Sequence, residues 1–515
     1  MKTPILGSTY VARSVNAADA RMVNLFPEIV PEGGKEPAFL SRCPGLKLEN
    51  TVGTGPIRGL WVSKTYPNNF YIASGNEFYK LTNLNGTPVK LGNITGDGPV
   101  SIADNGNQIF IACGASGYIY NQSTNQFSVI TDVDFYGAST VTYLDGYFVF
   151  NQPNSQTIWV SQLLDGTSVD PLDFASAEGS PDGVVAVLAD HRELWVFGTD
   201  TTEVWYNAGI SDFPLAPIQG AFNEIGCAAA FSVAKLDNSI FWLGSDPRGK
   251  GIVYRADGYR GVRVSTHAVE WQIQQYDDIS DAVAYTYQQD GHGFYVLNFP
   301  SANKTWVFDV STQAWHERAA WENNQFNRHR GNNQCNYQGN TVIGDYETSN
   351  IYTYDLDIYS DNGQIQRWLR SWRALSTGQN NLKRTAQHTL QLDIESGVGL
   401  NGIFDEDGDF SSAVAGIAVA GLAIAGTSGQ GSAIGIPSLG VVPKVMLRWS
   451  DDGGHTWSNE HWVSIGKIGQ YGKRAIWRRL GMTEKIRDRV YEVSGTDPVK
   501  ITILGAELSV SPTNA

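Results

Sequence analysis

The sequence predicts an all-β protein: a β-propeller of about seven blades (six to seven), an extended N-terminal arm and a C-terminal β-sandwich-like module. Three observations predict it. Gly (55), Tyr (23) and Trp (15) are abundant while charged residues make up only 17%. Many short strands joined by tight turns give that profile, whereas a helical chain carries more Glu, Lys and Leu. Across residues 57–372 an apolar strand, a turn and an aromatic-bearing second strand recur. Their spacing, roughly 40–50 residues, is that of propeller blades.

Residues 1–56 come first. Pro, Gly and turn residues dominate there and no strand pattern persists, so this stretch reads as an extended arm laid on other surfaces. The propeller is expected over 57–375. Its paired strands are Phe70–Ile72 with Phe78–Leu81, Ile109–Ile111 with Tyr118–Tyr120, and Tyr147–Phe150 with Ile158–Val160. Leu194–Phe197 with Glu203–Tyr206 and Ile240–Leu243 with Ile252–Arg255 follow. Phe294–Leu297 with Thr305–Phe308 and Val342–Gly344 with Ile351–Tyr354 complete the series. The first strands are 39, 38, 47, 46, 54 and 48 residues apart, and this regularity favours blades over two sandwiches of unrelated hairpins.

Ser376–Asn381 reads as a polar linker. The third expected segment, 376–515, holds Thr389–Ile394, which alternates as a half-buried strand does, and five further strand candidates. Inside it Ala415–Ile424 is an approximate five-residue tandem repeat of small apolar residues. An interface loop, an internal hairpin and a membrane-touching tip are its three readings.

Bulk properties narrow the function. The net charge of −15 argues against coating nucleic acid, which takes positive charge to displace counterions. The charge is uneven: residues 441–515 sum to +3 and residues 1–440 to −18. Four widely spaced cysteines suit a reduced compartment and buried thiols. No signal-peptide pattern opens the chain, and the apolar run from Ala413 to Ala425 is too short to span a bilayer.

No catalytic signature is visible: no G-x-S-x-G, P-loop, G-x-G-x-x-G or HExxH. The reading is therefore of a protein that is not an enzyme, with no cofactor and no metal. Asp405–Asp409 alternates carboxylates, but its Gly stands at the fourth position and Gly416 occupies the twelfth, so a solvated acidic turn fits better than a calcium loop. Ser450, Asp452, Gly454, Thr456 and Trp457 match the Asp-box S-x-D-x-G-x-T-W, in which the carboxylate bonds amides of its own turn. A structural hairpin is the reading, with sugar contact the alternative. Two basic runs stand out. One carries Arg367, Arg370 and Arg373 interleaved with Trp368 and Trp372. The other carries Lys473, Arg474, Arg478, Arg479, Lys485, Arg487 and Arg489. Arg beside Trp suits interfaces, so Arg367, Arg370, Arg373, Arg474, Arg478 and Arg479 are candidate partner contacts. Intrachain salt bridges and DNA contact are the alternatives.

The two ends, read together, carry a resemblance. Pro4–Ser14, Asn24–Glu28 and Pro44–Leu46 at the start, with Val445–Gly481 near the finish, resemble the tail-nozzle (packaged-DNA stabilisation) proteins of short-tailed, P22-like bacteriophages. The resemblance implies a virion protein assembled in the host cytoplasm. It implies six copies forming a tube below the adaptor ring of the portal, with the propeller as an outward fin. The arm and sandwich would make the tube, which is plugged by a tail needle, neighbours the tailspike or fibre proteins, and conducts DNA without reading its sequence. The Ala/Gly stretch near 413–426 has no counterpart in the resemblance. A carbohydrate-binding or sialidase-like propeller and a receptor-binding tail protein remain the alternative readings.

Overall fold

A computed structural model describes residues 1–14, 18–177, 182–210, 213–246, 249–375, 384–400, 439–483 and 489–513. Within one unit, Leu48–Gln313 with Arg328–Tyr354, the repeat residues build five small antiparallel sheets and two further antiparallel meanders of three strands, over 283–309 and 331–354. Each begins with one strand and steps to the next through a tight turn, as in Ser101–Asp104, Gln108–Cys113, Ser116–Asn121 and Gln126–Val129. The second strands are the apolar ones: Phe70–Ser74 and His292–Phe299 are buried along their whole length. A strand covered on both faces loses the polar alternation of a surface strand.

Hydrogen bonds from side chains tie successive sheets into a ring. Ser101 Oγ donates to Val141 O at 3.3 Å, Thr140 Oγ1 accepts from Val187 N at 2.9 Å, and Thr286 Oγ1 donates to Lys235 O at 2.8 Å. Asn298 Nδ2 reaches Gly331 O at 3.1 Å. The last sheet then meets the first. Asn333 Nδ2 donates to Ile57 O at 2.9 Å, and Ile57, Phe70 and Ile72 share one core with Tyr337, Val342 and Ile351. The unit is a closed seven-bladed propeller. The helix His267–Ile273, capped by Thr266, sits after the fifth blade.

The second unit joins three stretches, Met1–Lys47, Ala314–Asn327 and Asp355–Ala515. One sheet runs Leu25–Ile29, Ala38–Arg42, Thr502–Pro512, Thr385–Ile394, Ala475–Arg478. The other includes, in order, Ala314–Glu317, Met22–Val23, Trp368–Arg373, Val490–Gly495, Lys444–Ser450 and His461–Ser464. Leu390, Leu392, Ile503 and Leu508 of the first pack with Trp368, Trp372, Leu447 and Val493 of the second, and Ile5, Leu25 and Leu40 complete this core. It is a β-sandwich.

This division differs from the expected consecutive segments 1–56, 57–375 and 376–515. The N-terminal stretch is not an unpatterned arm. It supplies Met22–Val23, Leu25–Ile29 and Ala38–Arg42 as strands of the sandwich, and Trp368–Arg373 is a central sandwich strand rather than part of the propeller. The cause is non-local pairing: a two-residue strand such as Met22–Val23 shows no alternation of its own, and its neighbours lie some 300 residues away in sequence, at Arg370 and Glu317. The acidic turn at Asp405–Asp409, the Ala/Gly stretch at 413–426 and the linker at 376–381 lie outside the described residues.

Candidate assembly surface

The segments that carry the resemblance converge inside the sandwich. Asn24 is fully buried with a φ of 53°. Its Nδ2 donates to Ala319 O at 2.8 Å and Arg367 O at 2.7 Å, and its Oδ1 accepts from Ala319 N at 3.0 Å. Its own N–H reaches Glu317 O at 2.9 Å, and Cys43 N returns to its carbonyl at 3.0 Å. One short side chain thus joins all three stretches of the unit. Gly45 lies so close to the chain at 358–360 that a Cβ would stand 2.3 Å from Ser360 O, which excludes any larger residue. Arg42, buried, donates to Val499 O at 2.9 Å, Tyr359 O at 3.1 Å and Gln366 Oε1 at 3.2 Å. Burial pulls its guanidinium down to about 10.

The Asp-box residues form one turn. Asp452 Oδ1 accepts from His455 N and Thr456 N, both at 2.9 Å, and from Ser450 Oγ at 2.6 Å; Oδ2 accepts from Thr456 Oγ1 at 2.7 Å. Gly453 and Gly454 take φ of 80° and 107°, which a side chain resists. The Ser450 hydroxyl and then the Thr456 groups hold the Asp452 carboxyl well below the usual carboxylate range. Trp457 lies under Arg448 at 4.7 Å, pinning the turn to its sheet.

The first basic run is consumed within the chain. Arg367 Nη2 bonds Glu460 Oε1 and Ser494 Oγ, both at 3.0 Å, and stacks on Trp321 at 4.6 Å. Arg370 is 1% exposed, donates to Ile5 O at 2.6 Å, and is pulled down to about 10 by burial. Arg367 is half-buried and Arg370 buried, each with partners inside the chain. Arg373 is half-buried. The second run is different. Arg489 is buried in a two-point pair with Asp451, both bonds 2.6 Å, whereas Arg474, Arg478 and Arg479 are exposed. Lys485 and Arg487 lie outside the described residues. The exposed arginines sit on and beside Ala475–Arg478, the end strand of its sheet.

Comparison with known families decides the assignment. The model of the bacteriophage P22 Gp10 β-propeller matches residues 1–359, and that of the bacteriophage P22 Gp10 β-sandwich matches 410–511. The chain belongs to the bacteriophage P22 Gp10 family. It is a bacteriophage structural tail protein and a component of the virion, which assembles with other virion proteins. No curated protein matches it. Among solved structures, the computationally designed Ika8 protein is 12% identical over 65% of this chain and 99% of its own, with a TM-score of 0.37. The N-terminal domain of Nup159 is 10% identical over 63% and 97%, with a TM-score of 0.38. Similarity at that level identifies neither a partner nor a ligand.

Within the family fold, no group of three or more His, Cys, Asp or Glu is placed to hold a metal among the described residues. Cys43 and Cys227 are buried, and desolvation pushes each thiol up to about 11, so neither is an activated nucleophile. Sequence reasoning missed Asn24 and Arg42 as the knots of the sandwich. The available signal was an Asn and an Arg inside otherwise apolar stretches, where a buried polar side chain needs several partners.

Proposed function

We propose that six copies of this chain form a closed ring, the nozzle beneath the portal and its adaptor ring, which retains packaged DNA and conducts it during ejection. The observation that carries this reading is the match of both modules, propeller and sandwich, to the P22 Gp10 family. The partners are further copies of the chain, the adaptor ring, a tail needle or plug, and tailspike or fibre proteins. The role is mechanical rather than enzymatic, and a closed ring of identical chains uses head-to-tail contacts. The acidic balance supports conduction: a wall of like charge does not hold phosphates, so DNA passes without sticking. Assembly takes place in the host cytoplasm, before the tail is completed.

The test adds purified chain to isolated portal–adaptor complexes and counts bound copies by native mass spectrometry. Six per complex supports the nozzle. Three copies, or none, overturns it in favour of a receptor-binding or glycan-binding protein.

A further inference from the structure

Resting on that ring reading, we propose that the two ends of the five-stranded sandwich sheet are complementary halves of one contact between successive copies. At one end stands Ala475–Arg478, paired among the described residues only to Thr385–Ile394. Lys473, Arg474, Arg478 and Arg479 are exposed there and make no ion pair with any described residue. Elsewhere in the sandwich Arg21, Arg367, Arg448 and Arg489 each hold a carboxylate, and the buried Arg42 and Arg370 are bonded to backbone carbonyls. Between the arginines and the neighbouring strand lies a shallow groove of about 560 Å³, whose lining includes Ala386, Gln387, His388, Arg478, Arg479 and Met482 and whose exposed surface is mostly apolar. Met482 is 47% exposed. This end is an apolar slot rimmed by unspent positive charge.

The opposite end has the reverse composition. The Leu25–Ile29 strand leaves the sheet through Ile29, which is 58% exposed. Half-buried Glu28, which accepts from Ser41 Oγ at 3.4 Å, and exposed Glu32 flank it and make no ion pair with any described residue, while their neighbours Lys35 and Glu36 are held by Asp393 and Lys2. This end is an apolar knob rimmed by unspent negative charge.

Three partners could use such ends, and the charges choose among them. A two-fold contact would set basic end on basic end, or acidic on acidic, and like charges face to face cost several kcal/mol. DNA would use the basic end and leave the acidic end idle. A second copy docked head to tail uses both: Ile29 enters the Met482 groove, and Glu28 and Glu32 meet Arg478 and Arg479. Repetition of that contact closes a ring.

A charge-swap assay on full-length chains tests this. One variant carries Arg478→Glu and Arg479→Glu; the other carries Glu28→Arg and Glu32→Arg. Each alone sets like charges against each other where Arg478 and Arg479 would meet Glu28 and Glu32, so complete rings on portal–adaptor complexes fall by about tenfold or more. An equal mixture restores matching ends, and rings return containing the two variants in equal number, which native mass spectrometry resolves. Recovery by mixing excludes misfolding as the cause of the loss. Wild-type ring yield from either variant alone, or no recovery in the mixture, overturns the proposal while leaving the ring standing. Failure of the wild-type chain to load as six copies removes the ring and this contact with it.

Discussion

At the residue scale, Asn24 shows how one polar side chain organises a β-sandwich. Replacing it by Ala leaves Ala319 N–H, Ala319 O and Arg367 O without that partner in a dry interior, and forces a Cβ-bearing residue with fewer local bonds to keep a positive φ. Asn24→Ala is expected to lower stability by about 3 kcal/mol, measured as a fall in the denaturation midpoint of the sandwich with near-UV signals from its tryptophans. Asp452 gives a pH prediction. Its folded carboxyl titrates below the ordinary value of 3.8, so its contribution is complete above that value and disappears as pH falls through the depressed one. The His455 and Thr456 amides are therefore expected to stay protected from hydrogen exchange below about pH 4, where a free carboxyl is already protonated, and to lose protection only as pH falls through the depressed value. Asp452→Asn should remove that acid-dependent step. The Asp-box was legible in the sequence because all of these hydrogen-bond partners of Asp452 lie within four residues of it. Arg370 was illegible for the opposite reason: the carbonyl that takes its N–H is 365 residues away.

At the scale of elements, the blades were legible because each is a local meander. The aromatic strand pairs named from spacing alone are the second and third strands of the observed sheets, as with Ile109–Ile111 opposite Tyr118–Tyr120. What spacing does not reveal is how blades are held to each other. Thr140 is one such link: its hydroxyl donates to Asn151 Oδ1 at 2.8 Å and accepts from Val187 N in the next blade. Thr140→Val keeps the shape but strands a buried N–H, at a cost of about 1–3 kcal/mol. Urea denaturation should show that loss with an unchanged slope, since the surface exposed on unfolding is the same. A loss within a few tenths of a kcal/mol would mean that apolar packing alone holds neighbouring blades. The N-terminal strands were illegible by the same logic: apart from the short Tyr10–Val11 with Asp19–Ala20 pair and the Leu25–Ile29 with Ala38–Arg42 hairpin, their partners are remote, as with Trp368–Arg373 and Thr502–Pro512.

At the scale of the whole molecule, the sequence order and the folding order part company. The propeller draws its seven blades from two stretches nearly adjacent in sequence, Leu48–Gln313 and Arg328–Tyr354, and its first and last blades are joined by side chains, Asn333 to Ile57 and Tyr337 to Asn68. The sandwich has no such independence. Thr3 N donates to Ala506 O at 3.0 Å, Met1 and Leu508 exchange backbone bonds, and Ile5, Leu25 and Leu40 fill its core from the N-terminal end. A fragment spanning 48–354 is therefore expected to fold alone, with a single cooperative thermal transition. A fragment spanning 376–515, the segment that spacing alone would mark as a domain, should not. It lacks the Trp368–Arg373 strand between Met22–Val23 and Val490–Gly495, and it lacks the Leu25–Ile29 and Ala38–Arg42 hairpin beside Thr502–Pro512, so the aliphatic face at Leu390, Leu392 and Ile503 is left bare. Adding residues 1–47 and 355–375 to that fragment through a short linker should restore cooperative melting and near-UV ellipticity. Cooperative folding of 376–515 by itself would show instead that the N-terminal strands dock onto a finished sandwich and are not needed to complete its core.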